Sequence, residues 1–187
     1  MRVIWPMPEV FDSNGMRSFG YEDEVVLPLA ITPRNPDRPM ALMGELAIGV
    51  CRDTCVPVDL SVSAVLRGQG DHDPRIAQAM TAASEAGPRA GLERVTCRLE
   101  PSDRGAVLTL RATLPRQGRD EHMIVELPES PLWITNGRTW REGNDLVTEA
   151  RLRDPARGPI SIDRSRLALT VLGGEHMVMA QGCVSGG

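Results

Sequence analysis

The sequence contains no lysine: all 21 basic side chains among its 187 residues are arginine. Aromatic residues are nearly as scarce, with three tryptophans, one tyrosine and two phenylalanines. No run approaches the ~18–20 apolar residues of a membrane span. Positive charge is not in excess either: 25 acidic residues leave a formal charge of −4, the wrong sign for a nucleic-acid binder. Without lysine there is no phosphate-binding Gly-x-x-x-x-Gly-Lys, and Gly-x-Ser-x-Gly and His-Glu-x-x-His are missing too. The opening Met1-Arg2-Val3-Ile4-Trp5-Pro6 has no apolar core of a signal peptide. Taken literally, that start places the protein in the cytoplasm.

What is present is a globular composition, 41% hydrophobic and 25% charged, which excludes compositional disorder. Fifteen prolines and 18 glycines suit short strands and turns. The dominant period is two. Glu24–Ile31 reads as a strand that Pro28 confines to an edge or bulge. Ala41–Val50 is a second. In the third, Val58, Leu60, Val62 and Ala64 alternate with Asp59, Ser61 and Ser63, which predicts a half-buried antiparallel strand. Asp73-Pro74 then starts a helix as N-cap and first-turn proline, Ile76, Met80 and Ala83 follow at helical spacing, and Gly87-Pro88 stops it.

Strands resume at Leu92–Leu99, Gly105–Leu114 and His122–Leu127. Asn136-Gly137, between Leu132–Thr135 and Arg138–Arg141, predicts a tight hairpin with Trp133 facing Trp140. Gly143-Asn144 turns the chain again, and strands at Arg166–Leu172 and His176–Gln181 flank Gly173-Gly174. Many short strands at this spacing predict an all-β fold. We expect tandem immunoglobulin-like β-sandwiches joined by a short helix. Residues 1–70 form the first and incomplete one, 71–90 the linker helix, and 91–187 the second domain.

The four cysteines divide into a local and a distant pair. Cys51 and Cys55 flank a three-residue loop between two strands, which brings them opposite one another. Cys97 and Cys183 lie near the two ends of the second half. In the chain-entropy picture a Cys97–Cys183 bridge is worth about 4–5 kcal/mol and a Cys51–Cys55 bridge only about 2. The long bridge therefore reads as structural, and the short one, on a tight turn, as the redox-active pair. Four cysteines allow three connectivities, and spacing alone leaves the others open. Zinc is poorly supported, because His72, His122 and His176 are isolated. Cu(I) held by soft sulfur ligands is an alternative, though the nine methionines are scattered and better explained by packing. A non-catalytic β-sandwich that only binds a partner is a third reading. No metal or other cofactor is called for.

The segment Ile48-Gly49-Val50-Cys51-Arg52-Asp53-Thr54-Cys55-Val56-Pro57 resembles the Val-Cys-x-Asp-x-Cys-x-Pro element of the periplasmic N-terminal domain of DsbD-type protein-disulfide reductases. Its close cysteine spacing is nearer to the ScsB-like branch, linked to copper tolerance. Trp5–Phe11, Gly20–Leu29, Val95-Thr96-Cys97 and Gln181-Gly182-Cys183 also fit. The resemblance implies a periplasmic location and a Cys51/Cys55 pair that passes electrons by thiol–disulfide exchange. A membrane-embedded domain would reduce the pair, and periplasmic thioredoxin-like clients would receive the electrons. It further implies a cap loop over the sulfurs in residues 12–20, with Phe11, Met16, Phe19 or Tyr21 as the covering side chains. Arg52 inside the loop would favour a thiolate, and Asp53 would oppose it or handle the proton. The family's leader, early strands, membrane region and thioredoxin-like domain are not in these 187 residues, so we expect the start to be trimmed.

Overall fold

In a computed structural model, the protein is described over residues 1–13, 16–52, 54–68, 70–83, 85–86, 90–174 and 176–186. The fold is all-β, with 55% of residues in strands and 6% in helix.

Residues 1–66 form three two-stranded antiparallel sheets. β1 (Arg2–Val3) pairs with β4 (Leu29–Ala30), and β2 (Glu9–Ser13) pairs with β3 (Met16–Gly20). β5 (Met40–Cys51) pairs with β6 (Cys55–Leu66) along its whole length. The strand predicted over Glu24–Ile31 shortens to Leu29–Ala30. Buried Pro28 has no N–H for a ladder and contributes its carbonyl, which accepts from Ile4 N at 2.8 Å.

The β5–β6 hairpin overturns the half-buried expectation. Its register places Met40, Leu42, Gly44, Leu46, Ile48 and Val50 on one face with Val56, Val58, Leu60, Val62, Ala64 and Leu66, an apolar face throughout. None of these residues is buried, and Val56 and Val62 are half exposed. Alternation set the pairing register, but no second sheet lies on the apolar face among the described residues.

Helix α1 (Pro74–Thr81) starts as its sequence predicts. The Asp73 carboxylate caps it by accepting from Arg75 N at 2.9 Å, and Pro74 fills the first turn. It ends earlier than Gly87-Pro88. Ala79 is its buried residue, while Ile76 and Met80 are about half exposed. Pro6 bridges to Ala83, and Met7 N donates to Ala82 O at 2.9 Å, so the helix end is tied to the N-terminal segment.

The remaining strands make a sandwich. One sheet runs β10 (Glu121–Glu126), β13 (Ala168–Gly173), β14 (His176–Gln181) and β7 (Glu85–Ala86). The other runs β11 (Trp133–Glu142), β12 (Asp145–Arg153), β9 (Gly105–Thr113), β8 (Arg94–Ser102) and β15 (Val184–Ser185). Alternation along β9 buries Ala106, Leu108, Leu110 and Ala112, and these meet Met123, Val125, Leu169, Val171 and Val178 in a single aliphatic core. A partly buried ion pair closes one end. Arg141 donates to Glu121 at 2.6 and 2.7 Å and to the Leu114, Asn144 and Pro115 carbonyls. Burial pushes the Glu121 carboxyl up, but hydrogen bonds from Arg141 and Gln117 N outweigh it and hold the group below its ordinary value.

Asn136-Gly137 is not a hairpin turn. β11 continues through it with a bulge that shifts the register between Asn136 and Thr139; Trp133 stands opposite Arg153 and Trp140 opposite Val147, so the tryptophans do not pair. The turn is Gly143-Asn144, where Gly143 has φ +61°. Gly137 lacks the positive φ that a type I′ turn needs. It is required by close approach, since a Cβ there would lie 2.5 Å from Glu149 O. The Asn136 amide reaches the other sheet, accepting from Val125 N at 2.8 Å and donating to Val125 O at 3.3 Å. It takes the place of ladder bonds across the edge of the sandwich.

Candidate functional site

β5 and β6 are equal in length and paired residue for residue, so their common end is fixed by the ladder. At that end Cys51 stands opposite Cys55, and the two are disulfide-bonded with Cα atoms 4.0 Å apart. The loop between them is closed by Arg52 N donating to Thr54 O at 3.4 Å. Both cysteines are exposed. Successive pairs alternate faces, so the cysteines share a face with the Gly49–Pro57 pair and then with Ala47–Asp59. Gly49 and Pro57 are small, and a Cβ added to Gly49 would meet nothing within 4 Å. The sulfurs thus sit at an open tip on which another polypeptide can close without displacing a side chain. Arg52 is exposed on the loop. Asp53 and the Met16 side chain lie outside the described residues.

The other residues expected near the sulfurs are engaged elsewhere. Phe19 packs edge-on against His122 of β10, with ring centroids 5.8 Å apart and planes at 61°. Arg17 Nη1 donates to His122 Nδ1 at 3.3 Å, and Arg17 Nε donates to Asp12 at 3.2 Å. Phe11 faces Ser18 across the β2–β3 ladder and is partly exposed. The Tyr21 hydroxyl donates to Pro6 O at 2.9 Å, and burial raises its pKa. The β2–β3 hairpin is therefore docked on the C-terminal sandwich through Phe19 and Arg17. His122, set aside in the sequence as an isolated histidine, is the anchor. It lies 105 residues from Arg17, and no spacing rule connects two such positions. Burial and the nearby Arg17 guanidinium hold its pKa below the ordinary histidine value.

The second disulfide joins Cys97, fully buried in β8, to Cys183, with Cα atoms 5.8 Å apart. Beside it β15 runs parallel to β8, and Gly186 N donates to Cys97 O at 3.0 Å. This bridge pins the last strand to an edge of the five-stranded sheet. Among the described residues no group of three or more His, Cys, Asp or Glu side chains is placed to hold a metal ion, and no helix is long and apolar enough to cross a membrane.

Comparison with known proteins agrees with this geometry. Residues 1–66, which carry the hairpin and its disulfide, match the family described as thiol:disulfide interchange protein DsbD, N-terminal. The chain as a whole is similar to the N-terminal periplasmic domain of ScsB from Proteus mirabilis. That crystal structure aligns with a TM-score of 0.65 at 21% identity, over 100% of this chain and 73% of the other. The curated proteins contain no match. The DsbD-like, ScsB-like resemblance read from the cysteine segment thus holds for residues 1–66 in sequence and for the whole chain in fold.

Proposed function

We propose that this protein is a periplasmic thiol–disulfide interchange module whose working group is the Cys51–Cys55 pair. The observation that carries the reading is an exposed disulfide at the tip of a hairpin, inside the segment matched by the interchange family. In the reduced module, one cysteine thiolate attacks a sulfur of a client disulfide and displaces the other client sulfur as a thiolate. The second cysteine, held opposite by the ladder, attacks the mixed disulfide and releases the client as a dithiol. The client gains two electrons and the module returns to its disulfide. A membrane-embedded dithiol donor then restores it. The clients are thioredoxin-like proteins, and Cys97–Cys183 stays oxidised as a staple throughout. Arg52 and Asp53 set the thiolate's pKa. The reading assigns residues 1–70 to the redox module, 71–90 to the linker and 91–187 to a second sandwich domain.

Single-cysteine variants test this. Cys51→Ala or Cys55→Ala should abolish reduction of a thioredoxin-like disulfide and leave the fold intact by circular dichroism. One of the two should accumulate a mixed disulfide on non-reducing gels. A Cys51–Cys55 reduction potential below about −300 mV would identify a structural bridge instead and overturn the reading.

A further inference from the structure

The end of the C-terminal sandwich where β8 turns into β9 carries a cleft unconnected with the disulfides. Three chain segments meet there. Gly105, at φ +143°, presses the Asp103-Arg104 turn against β12; a Cβ on it would fall 2.1 Å from Leu152 O. Trp133 opens the edge strand β11 opposite Arg153. Beyond Arg153, the Asp154 carboxylate accepts from Ala156 N and Gly158 N, both at 2.8 Å, and holds a turn in which Arg157 takes the left-handed φ of 58°. Non-glycine residues held in that region cost of order 1 kcal/mol or more and gather at ligand sites. The three segments line a cleft of about 570 Å³, within the usual range for small-molecule sites.

Three arginines and one tryptophan line this cleft together. Several arginines of the sandwich are paired, as Arg111 is with Glu142 and Arg141 with Glu121. Arg104, Arg153 and Arg157 form no ion pair or side-chain hydrogen bond among the described residues. Trp140 donates its indole N–H to Glu142 and lies under the Arg138 guanidinium. Trp133 has no such partner and is 64% exposed. Of the two carboxylates lining the cleft, Asp154 is committed to backbone amides. Unpaired guanidiniums recognise carboxylate and phosphate oxygens through paired N–H donors, and an exposed indole offers a flat apolar face.

We propose that this cleft binds a small ring compound bearing a carboxylate or phosphate, the ring lying on Trp133 and the anion held by Arg104, Arg153 and Arg157. An acidic sugar and a nucleotide share that chemistry, and calorimetry of the whole protein at low salt separates them. The probes are N-acetylmuramic acid and adenosine 5′-monophosphate, each beside its neutral counterpart, N-acetylglucosamine or adenosine. At least one anion should bind about tenfold more tightly than its counterpart, as guanidinium recognition of the charge requires. Arg153→Ser should weaken it by a similar factor, and Trp133→Leu should weaken the same probe, with melting temperatures unchanged because both side chains are exposed. In a Trp5→Phe, Trp140→Phe protein, fluorescence of the remaining Trp133 should report the same saturation. The proposal is overturned if neither anion saturates by millimolar concentrations, if the neutral compound binds as well, or if Arg153→Ser leaves the affinity unchanged.

Discussion

At the scale of single residues, the absence of a side chain at Gly49 decides how the sulfurs can be approached. Exchange between proteins requires one sulfur to reach another in line, so the partner's backbone must come close to the attacked disulfide. Gly49 and Pro57 leave that approach open, and the free space above Gly49 means that a larger side chain fits without disturbing the ladder. Gly49→Phe should therefore leave the melting temperature within about 2–4 °C, the shift of a change near 1 kcal/mol in a chain of this size. It should slow exchange with a protein disulfide by an order of magnitude or so and leave reduction by dithiothreitol nearly unchanged, since the small thiol needs no backbone approach. Stopped-flow rates with the two partners check this, and equal slowing of both would refute it. Asn136 teaches a related lesson from the sequence side. Asn-Gly is a strong hairpin signal, and here its amide serves Val125 on the facing sheet. The dipeptide's turn chemistry is local, while the competing bonds come from a strand eleven residues away, and the tertiary bonds prevail.

At the scale of elements, alternation was legible and burial was not. The β5 and β6 strands, the helix cap at Asp73-Pro74, the Gly143-Asn144 turn and most strands of the second half follow from period and punctuation, whereas β7 and β15 carry no such signal and Asn136-Gly137 wrongly splits β11 in two. Period two says which side chains share a face; it does not say what covers that face. Along β9 the apolar face meets a second sheet, whereas along β6 it meets no second sheet among the described residues. The two strands should then respond differently to the same kind of change. Leu108→Ala removes a fully buried side chain and should cost about 2–5 kcal/mol. Leu60→Ala, at 43% exposure, should stay within about 1 kcal/mol. Urea denaturation monitored by far-UV dichroism distinguishes them, and a cost at Leu60 matching that at Leu108 would show that the hairpin face is packed in solution. The candidate site was legible in part for the same reason. The Cys51/Cys55 spacing is local and declares itself, while the anchor for Phe19 and Arg17 depends on a strand more than a hundred residues further on.

At the scale of the whole molecule, the second disulfide and the docked β2–β3 hairpin each tie distant parts of the chain together. Cys97–Cys183 closes most of the second half, and Cys97→Ala should cost about 2–5 kcal/mol, lowering the melting temperature by roughly 5–15 °C while sparing exchange at Cys51–Cys55. The docking of the β2–β3 hairpin should depend on pH through His122. Burial, and then the Arg17 guanidinium, hold the folded pKa of His122 below its ordinary value, with Asp120 and Asp12 opposing. Arg119, Glu121 and Arg138 line the same cleft. A depressed histidine pKa means that the unfolded or undocked chain binds the proton more readily. The contribution to docking is therefore complete above the ordinary value of about 6.5 and is lost as pH falls through the lower folded value. Protonation also removes the lone pair on Nδ1 that accepts from Arg17 and sets two cations 3.3 Å apart. Amide exchange in residues 9–20, corrected for its intrinsic pH dependence, should accelerate relative to the sandwich core between pH 7 and pH 5. His122→Phe retains a ring for Phe19 and cannot titrate, so it should abolish that acceleration; if the pH effect survives in His122→Phe, another group controls the docking.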